Sequence, residues 1–346
     1  MELKEILMES NAQGASDIHI VVGKPPMFRV HGSLVELRGQ EKLLPQDTQK
    51  LAYSILTEEQ QEAFEKNMDL DFSFGIGGLG RYRVNIHMQR GTIGMSIRTI
   101  NSEITPLEKL GQPPSVRKFI ENKNGLILVT GPTGSGKSTT LAALIDIINE
   151  TKPDHIITVE DPIEFLHRHK KSVVEQREVK ADTTSFKDAL KYALRQDPDV
   201  ILIGEMRDLE TIESALTAAE TGHLVFGTLH TNDAASTIDR IVDVFPTGQQ
   251  QQIRLQLSNS LRGVVSQILI PTTDGHGRAM ASEVLVGTPA VGNLIREGKT
   301  NQIYSMIETG AKYGMRSMDQ ALKQLYNDNK ISQDEMIQRM KNPNFM

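Results

Sequence analysis

The sequence predicts an α/β protein in two parts, and three observations carry that prediction. The chain has 346 residues, room for about two domains of roughly 100–200 residues each. Residues 17–100 hold short β-branched runs separated by Gly/Pro turn chemistry, with helical stretches among them, the pattern of an α+β region. From residue 125 onward, near-continuous apolar runs alternate with helical segments. Strands buried on both faces read this way and imply a parallel sheet covered by helices.

Taken in order, Leu3, Ile6 and Leu7 recur at helical spacing and predict a short opening helix. DIHIVV, PMFRV and SLVEL read as strands, divided by Gly23-Lys24-Pro25-Pro26 and by His31-Gly32-Ser33. A helical stretch is expected over 45–66, with Pro45 placed for a helix start. DFSF, RYRVNIHM and TIGMSIRTI read as three more strands, punctuated by GIGGLG and Arg90-Gly91. The N-terminal domain is therefore expected at 1–100. Pro106, Gly111, Pro113 and Pro114 mark 101–124 as a linker holding one short helix. LILVT at 126–130, HIITVE at 155–160, DVILIGE at 199–205 and HLVFGTLH at 223–230 are the predicted strands of a core at 125–287. Four helical segments are expected over 288–346, including SMDQALKQLYNDN and a last one entered through Ser332-x-x-Glu335 as a capping box. The Gln249–Gln252 run reads as a solvated helix face.

Composition narrows the function. Lys+Arg number 38 against 44 Asp+Glu, a net charge of −6. Such a chain lacks the broad basic face of a nucleic-acid-binding protein, and aromatics for base stacking are only 5%. With no cysteine there is no disulfide, thiolate nucleophile, Cys-ligated zinc or iron–sulfur cluster. MELKEILMES lacks the basic segment and apolar run of a signal peptide. No stretch approaches the roughly 20 apolar residues that span a bilayer. A cytoplasmic location is expected.

One motif is complete. Gly131-Pro132-Thr133-Gly134-Ser135-Gly136-Lys137-Ser138 matches G-x-x-x-x-G-K-[ST] and continues into Thr139, after the strand LILVT and before a helical run. Glycines let consecutive backbone N–H groups converge on phosphate oxygens, and the helix N-terminus adds positive potential. Lys137 is expected on the β/γ-phosphates and the Ser138 hydroxyl on Mg²⁺.

Hydrolysis also needs acids at the carboxyl edge of the sheet. DVILIGE ends in Glu205, where Gly204 occupies the place of the usual Asp, so metal contact through a water is favoured over direct ligation. IITVE runs into Asp161-Pro162-Ile163-Glu164, which gathers Glu160, Asp161 and Glu164 near one edge. His223 and His230 flank LVFGTL, and an extended strand points them to opposite faces, against a shared metal site. Beside a P-loop, a strand ending Gly-Thr-Leu-His-Thr offers His230 as a candidate phosphate sensor.

Four motifs thus stand in order: GPTGSGKST, ITVEDPIEF, ILIGEMRD and TGHLVFGTLHT. Together they resemble the ATPases that drive type II secretion and type IV pili, with their Walker A, Asp box, Walker B and His box. GASDIHIVVGKPPMFRVHGSL is similar to the start of the retraction members. The resemblance implies a PAS-like N-terminal domain, a RecA-like P-loop NTPase domain and a C-terminal helical region, assembled as a homo-hexamer that uses ATP and Mg²⁺. It implies Glu164 as general base, Glu205 as the acid acting with Mg²⁺, and His230 and His223 as the His box. It also implies arginines of the N-terminal domain completing the site. Arg83 and Arg98 align best, with Arg81 and Arg90 as competitors. The implied partner is an inner-membrane pilus platform protein, with peripheral association; neither nucleic acid nor zinc is expected.

Extension and secretion members are usually longer and commonly carry a four-cysteine zinc segment after the His box. Here LRGVVSQILIP runs through TTDGHGR to ASEVLVG with no insertion and no Cys, the compact form of retraction members. Their AIRNLIRE motif corresponds to Ala290–Glu297, with six of eight positions matching and Gly292 in place of an arginine. The expected function is ATP-driven type IV pilus retraction and twitching motility. An accessory motor of the same family, or a pilus-assembly or secretion ATPase, is the alternative. A RecA-like nucleic-acid motor is opposed by the acidic balance, and a non-hydrolysing nucleotide switch by the presence of both Glu164 and Glu205.

Overall fold

The computed structural model describes residues 2–30, 32–100, 103–275 and 277–342. Expectations that touch His31, residues 101–102, His276 and 343–346 lie outside the described residues. The chain divides into two compact units, Met1–Ser102 and Glu103–Met346.

In the first unit, α1 (Leu3–Ala12) leads to β1 (Asp17–Ile20), β2 (Met27–Val30) and β3 (Ser33–Glu36). Helices α2 (Pro45–Tyr53) and α3 (Glu58–Asn67) follow, then β4 (Asp69–Ile76), β5 (Gly80–Gln89) and β6 (Thr92–Ile100). The six strands form one sheet in the order β3-β2-β1-β6-β5-β4, antiparallel throughout. Alternation along β5 builds its two faces: Tyr82, Val84 and Ile86 are buried, and Arg83 between them is exposed. Leu3, Ile6 and Leu7 of α1 join Ile18, Phe28, Val84 and Met95 in the core. The expected helical stretch over 45–66 is two helices. Thr57 begins the second by accepting from Gln60 N–H while the Gln60 side chain returns to the Thr57 N–H, a start signal inside the stretch.

In the second unit, a short helix α4 (Pro114–Arg117) precedes β7 (Gly125–Thr130) and α5 (Lys137–Thr151). Next come β8 (His155–Glu160), β9 (Val173–Glu178), α6 (Phe186–Ala193), β10 (Val200–Ile203), α7 (Leu209–Glu220) and β11 (Leu224–Leu229). The remaining elements are α8 (Ala234–Asp243), α9 (Thr247–Ser260), β12 (Leu261–Pro271), β13 (Arg278–Val286), α10 (Pro289–Arg296), α11 (Ile303–Thr309), α12 (Met318–Asn327) and α13 (Gln333–Arg339). The sheet order is β13-β12-β7-β11-β10-β8-β9. Every pairing is parallel except that of β12 with β13. This is the RecA-like arrangement of a mixed sheet with helices on both faces. Each residue of β7 and β11 is buried, which accounts for their unbroken apolar runs. One face carries α5 and the segment Val116–Ile120, and the other carries α7 to α11.

Three strands are not announced by periodicity. β9 is a polar edge strand, VVEQRE, and β12 and β13 carry buried polar residues, among them Ser266, Gln267 and Glu283. The four C-terminal helices α10–α13 follow the expectation. Ser332 caps α13 by accepting from Glu335 N–H. The reciprocal arm is not formed; the Glu335 carboxylate pairs with Arg339 instead. Gly292 lies in α10, where a Cβ would stand 3.0 Å from the Ser258 carbonyl oxygen, so a close approach to α9 favours its small size. Gln249, Gln251 and Gln252 are exposed on α9. No helix among the described residues is long and apolar enough to cross a membrane.

Candidate active site

The loop between β7 and α5 lies flat against β12. Gly131 has φ 142°, and a Cβ on it would stand 2.2 Å from the Gln267 carbonyl oxygen. Gly136 caps α5 with φ 85°, a left-handed conformation that favours glycine. Lys137 Nζ folds back to donate to the carbonyls of Gly131 at 2.9 Å and Pro132 at 3.1 Å. Burial lowers its pKa, while the carboxylates of Glu205 and Glu164 oppose that shift.

The parallel register aligns the carboxyl ends of three further strands beside this loop, with Val159 opposite Ile203 and Ile203 opposite Gly227. Backbone staples hold the edge: Gly204 N–H donates to Val159 O at 2.8 Å, and Met206 N–H to Thr228 O at 3.0 Å. The Thr228 hydroxyl donates to Gly204 O at 2.5 Å. Glu205 therefore leaves β10 in a fixed direction. Its Oε1 lies 2.9 Å from His230 Nε2, with side-chain exposures of 20% for the acid and 42% for the imidazole. Arg207 Nε donates to the same oxygen. Glu160 receives hydrogen bonds from the Thr158 hydroxyl at 2.6 Å and Gln176 Nε2 at 3.2 Å. Burial raises its pKa, while the hydrogen bonds from Thr158 and Gln176 oppose that shift.

Thr133 to Thr139, Glu164, Glu205 and His230 line one cleft of about 450 Å³. Gly131 and Pro132 supply the carbonyls that hold Lys137. His223 does not join them. It precedes β11, where its Nδ1 sits 2.9 Å from Ala218 O, and the length of β11, about 20 Å at roughly 3.3 Å per residue, separates it from His230. In the first unit, Arg83 and Arg98 are direct cross-strand neighbours on the exposed face. Arg98 Nε pairs with Asp17 Oδ1 at 2.8 Å. Of the competitors, Arg81 donates to Ser73 Oγ at 2.6 Å and Arg90 occupies a turn with φ 47°. Among the cleft residues that escape sequence reasoning are two cations, Arg207 and Arg278. The Glu-x-Arg spacing in GEMRD was the available signal for Arg207; Arg278 follows a hairpin turn and carries none.

The residues fit a magnesium nucleotide. Lys137 is held by neutral carbonyls and not by a carboxylate, so its charge is free for an incoming phosphate. The buried Ser135 hydroxyl lacks a partner among the described residues. The N-terminus of α5 opens into the cleft with the Ser138 hydroxyl beside it. Ser138 and Glu205 are the groups that would hold Mg²⁺.

Residues 1–341 match the family model for type II/IV secretion system proteins. The chain is 50% identical to the type IV pilus retraction ATPase PilT of Pseudomonas aeruginosa, over 99% of each chain. It is 40% identical to the type IV pilus ATPase PilU of the same organism, over 97% of this chain and 88% of that one. A solved structure of the pilus retraction motor PilT with bound ADP superposes with a TM-score of 0.93 at 51% identity, covering 100% of this chain and 99% of that one. By motif, by fold and over almost its whole length, the chain belongs to the type II/IV secretion system ATPase family.

Proposed function

We propose that this ATPase powers retraction of type IV pili, and with it twitching motility, as a homo-hexameric ring. The observation that carries the reading is the convergence of the phosphate loop with Glu164, Glu205 and His230 in one cleft, in a chain alike from end to end to a pilus retraction ATPase. Lys137 leaves the carbonyls of Gly131 and Pro132 to hold the β/γ-phosphates of ATP. Ser138 and Glu205 would hold Mg²⁺, which would supply positive charge to the phosphate oxygens. Glu164 accepts the proton of the attacking water. His230, tied to Glu205, senses the γ-phosphate at the head of the segment that leads into α8. Thr139 supports the loop, and Arg83 and Arg98 are assigned to nucleotide contact. His223, at the far end of β11, is assigned a structural part in the same motif.

Residues 1–100 are read as a PAS-like domain, 101–124 as a linker, 125–287 as the ATPase core and 288–346 as a helical region. The motor works in the cytoplasm at the inner face of the membrane, against a pilus platform protein. Neither nucleic acid nor zinc enters this reading. Deleting the gene should leave pili accumulated and unretracted, with retraction restored by the wild-type chain and not by Lys137→Ala. Normal retraction in the deletion strain would sink the proposal. The likeness to PilU supports a second reading, an accessory motor. Under it, the deletion would weaken retraction without abolishing it.

A further inference from the structure

On the side of β12, the Gln267 side chain holds the phosphate loop. Gln267, in the middle of β12, is fully buried, and both ends of its amide are used. Nε2 donates to the Ser135 carbonyl at 2.8 Å. Oε1 accepts from the Thr140 hydroxyl at 3.0 Å and from Gln112 Nε2 at 3.0 Å. Two donors converge on Oε1, so the network orients the amide with its NH₂ toward Ser135. Ser135 belongs to the loop, Thr140 to the first turn of α5, and Gln112 to the segment before β7. One amide therefore spans three pieces of chain, and the Gln267 backbone carbonyl forms the surface on which Gly131 rests.

The direction of that bond matters for chemistry. In a planar trans peptide, the N–H points opposite to the preceding carbonyl. With the Ser135 carbonyl turned back to Gln267, the Gly136 N–H is turned away from it. Gly136 lines the cleft and Gln267 does not. The Ser135–Gly136 peptide is also able to flip, because Gly136 holds φ 85° and glycine tolerates either sign. A flipped peptide would aim a carbonyl oxygen at the phosphate.

We propose that Gln267 is a positioning residue for nucleotide binding, locking the Ser135–Gly136 peptide with its N–H toward the phosphate. Thr140 and Gln112 hold the amide in the required sense. This rests on the reading of the cleft as the nucleotide site. Gln267→Glu, compared with wild type at about pH 9 so that even a buried carboxyl is ionised, is the decisive variant: it keeps the shape and the acceptor for Thr140 and Gln112 but loses the donor to Ser135 and sets two oxygens face to face. Leaving a buried group unsatisfied should weaken binding of a fluorescent ADP analogue about five- to a hundredfold, and raise KM for ATP by a similar factor with a smaller change in kcat. Amide exchange across 131–139 should quicken in the nucleotide-free protein.

Thr140→Val, which removes one orienting donor, should shift the affinity in the same direction by less. It serves where Gln267→Glu folds poorly. Wild-type ADP affinity and unaltered loop exchange in a folded Gln267→Glu protein would overturn the proposal, even with a lowered Tm; so would unchanged affinity in Thr140→Val. Lys137→Ala in the same binding assay tests the underlying reading. If it too binds as wild type, the nucleotide site itself is misplaced; if only Gln267→Glu does, the lock alone fails.

Discussion

His230 Nε2 lies 2.9 Å from Glu205 Oε1, which ties the carboxyl ends of β10 and β11 together through side chains as well as backbone. Arg207 shares the same carboxylate oxygen. The acid assigned to the metal thus has two cationic or potentially cationic neighbours, from its own strand end and the next.

Removing His230 should separate binding from turnover. A hydrogen bond to a charged group contributes about 1.5–3 kcal/mol, so His230→Ala should lower kcat roughly 10- to 150-fold with ADP affinity little changed. Phosphate release beside a nucleotide titration checks this. An equal loss in both would mean that His230 builds the pocket and does not sense its contents.

Arg83 and Arg98 offer a test in the first unit. Both are exposed and stand across from each other, and an ion pair with one solvated partner, such as Arg98–Asp17, contributes about 1 kcal/mol to stability. Arg83→Ala and Arg98→Ala should therefore melt close to wild type while ATP turnover falls about tenfold or more, the loss expected for a charge that stabilises the transferring phosphoryl group. Full turnover in both variants would remove these arginines from the site.

Acid sensitivity has an assigned source. Burial pushes the His167 pKa down from 6.5 to about 4, with Asp146 opposing and Lys170 assisting, and its Nδ1 lacks a partner among the described residues. The folded chain keeps this ring neutral where the unfolded chain takes up a proton. Its contribution is present in full above pH 6.5 and is lost as pH falls toward about 4, by up to about 1.4 kcal/mol per pH unit. His167→Gln should shrink the drop in urea midpoint between roughly pH 7 and pH 5. Identical drops would show that another group sets the acid limit.

The phosphate loop was legible because its signal is local: glycines, a lysine and a hydroxyl at fixed spacing between a strand and a helix. β7, β8, β10 and β11 were legible because burial on both faces writes unbroken apolar runs into the sequence. Strand direction placed the acids at one edge, and the family resemblance supplied their roles. β9 was hidden because an edge strand with one wet face carries polar residues. Gln267 was hidden for a different reason: its contact with Ser135 joins two distant parts of the chain, and no local pattern marks such a residue. Thr57 was readable as a cap in principle, yet the helical period continues across it and masks the break.

The central claim is that the cleft beside Lys137 hydrolyses ATP, with Glu164 taking the proton from water. Phosphate release from the assembled Glu164→Gln protein, measured beside its ADP affinity, tests this most directly. The account predicts a fall in kcat of about 10²- to 10⁴-fold with nucleotide still bound as in wild type. Turnover at the wild-type rate would contradict it.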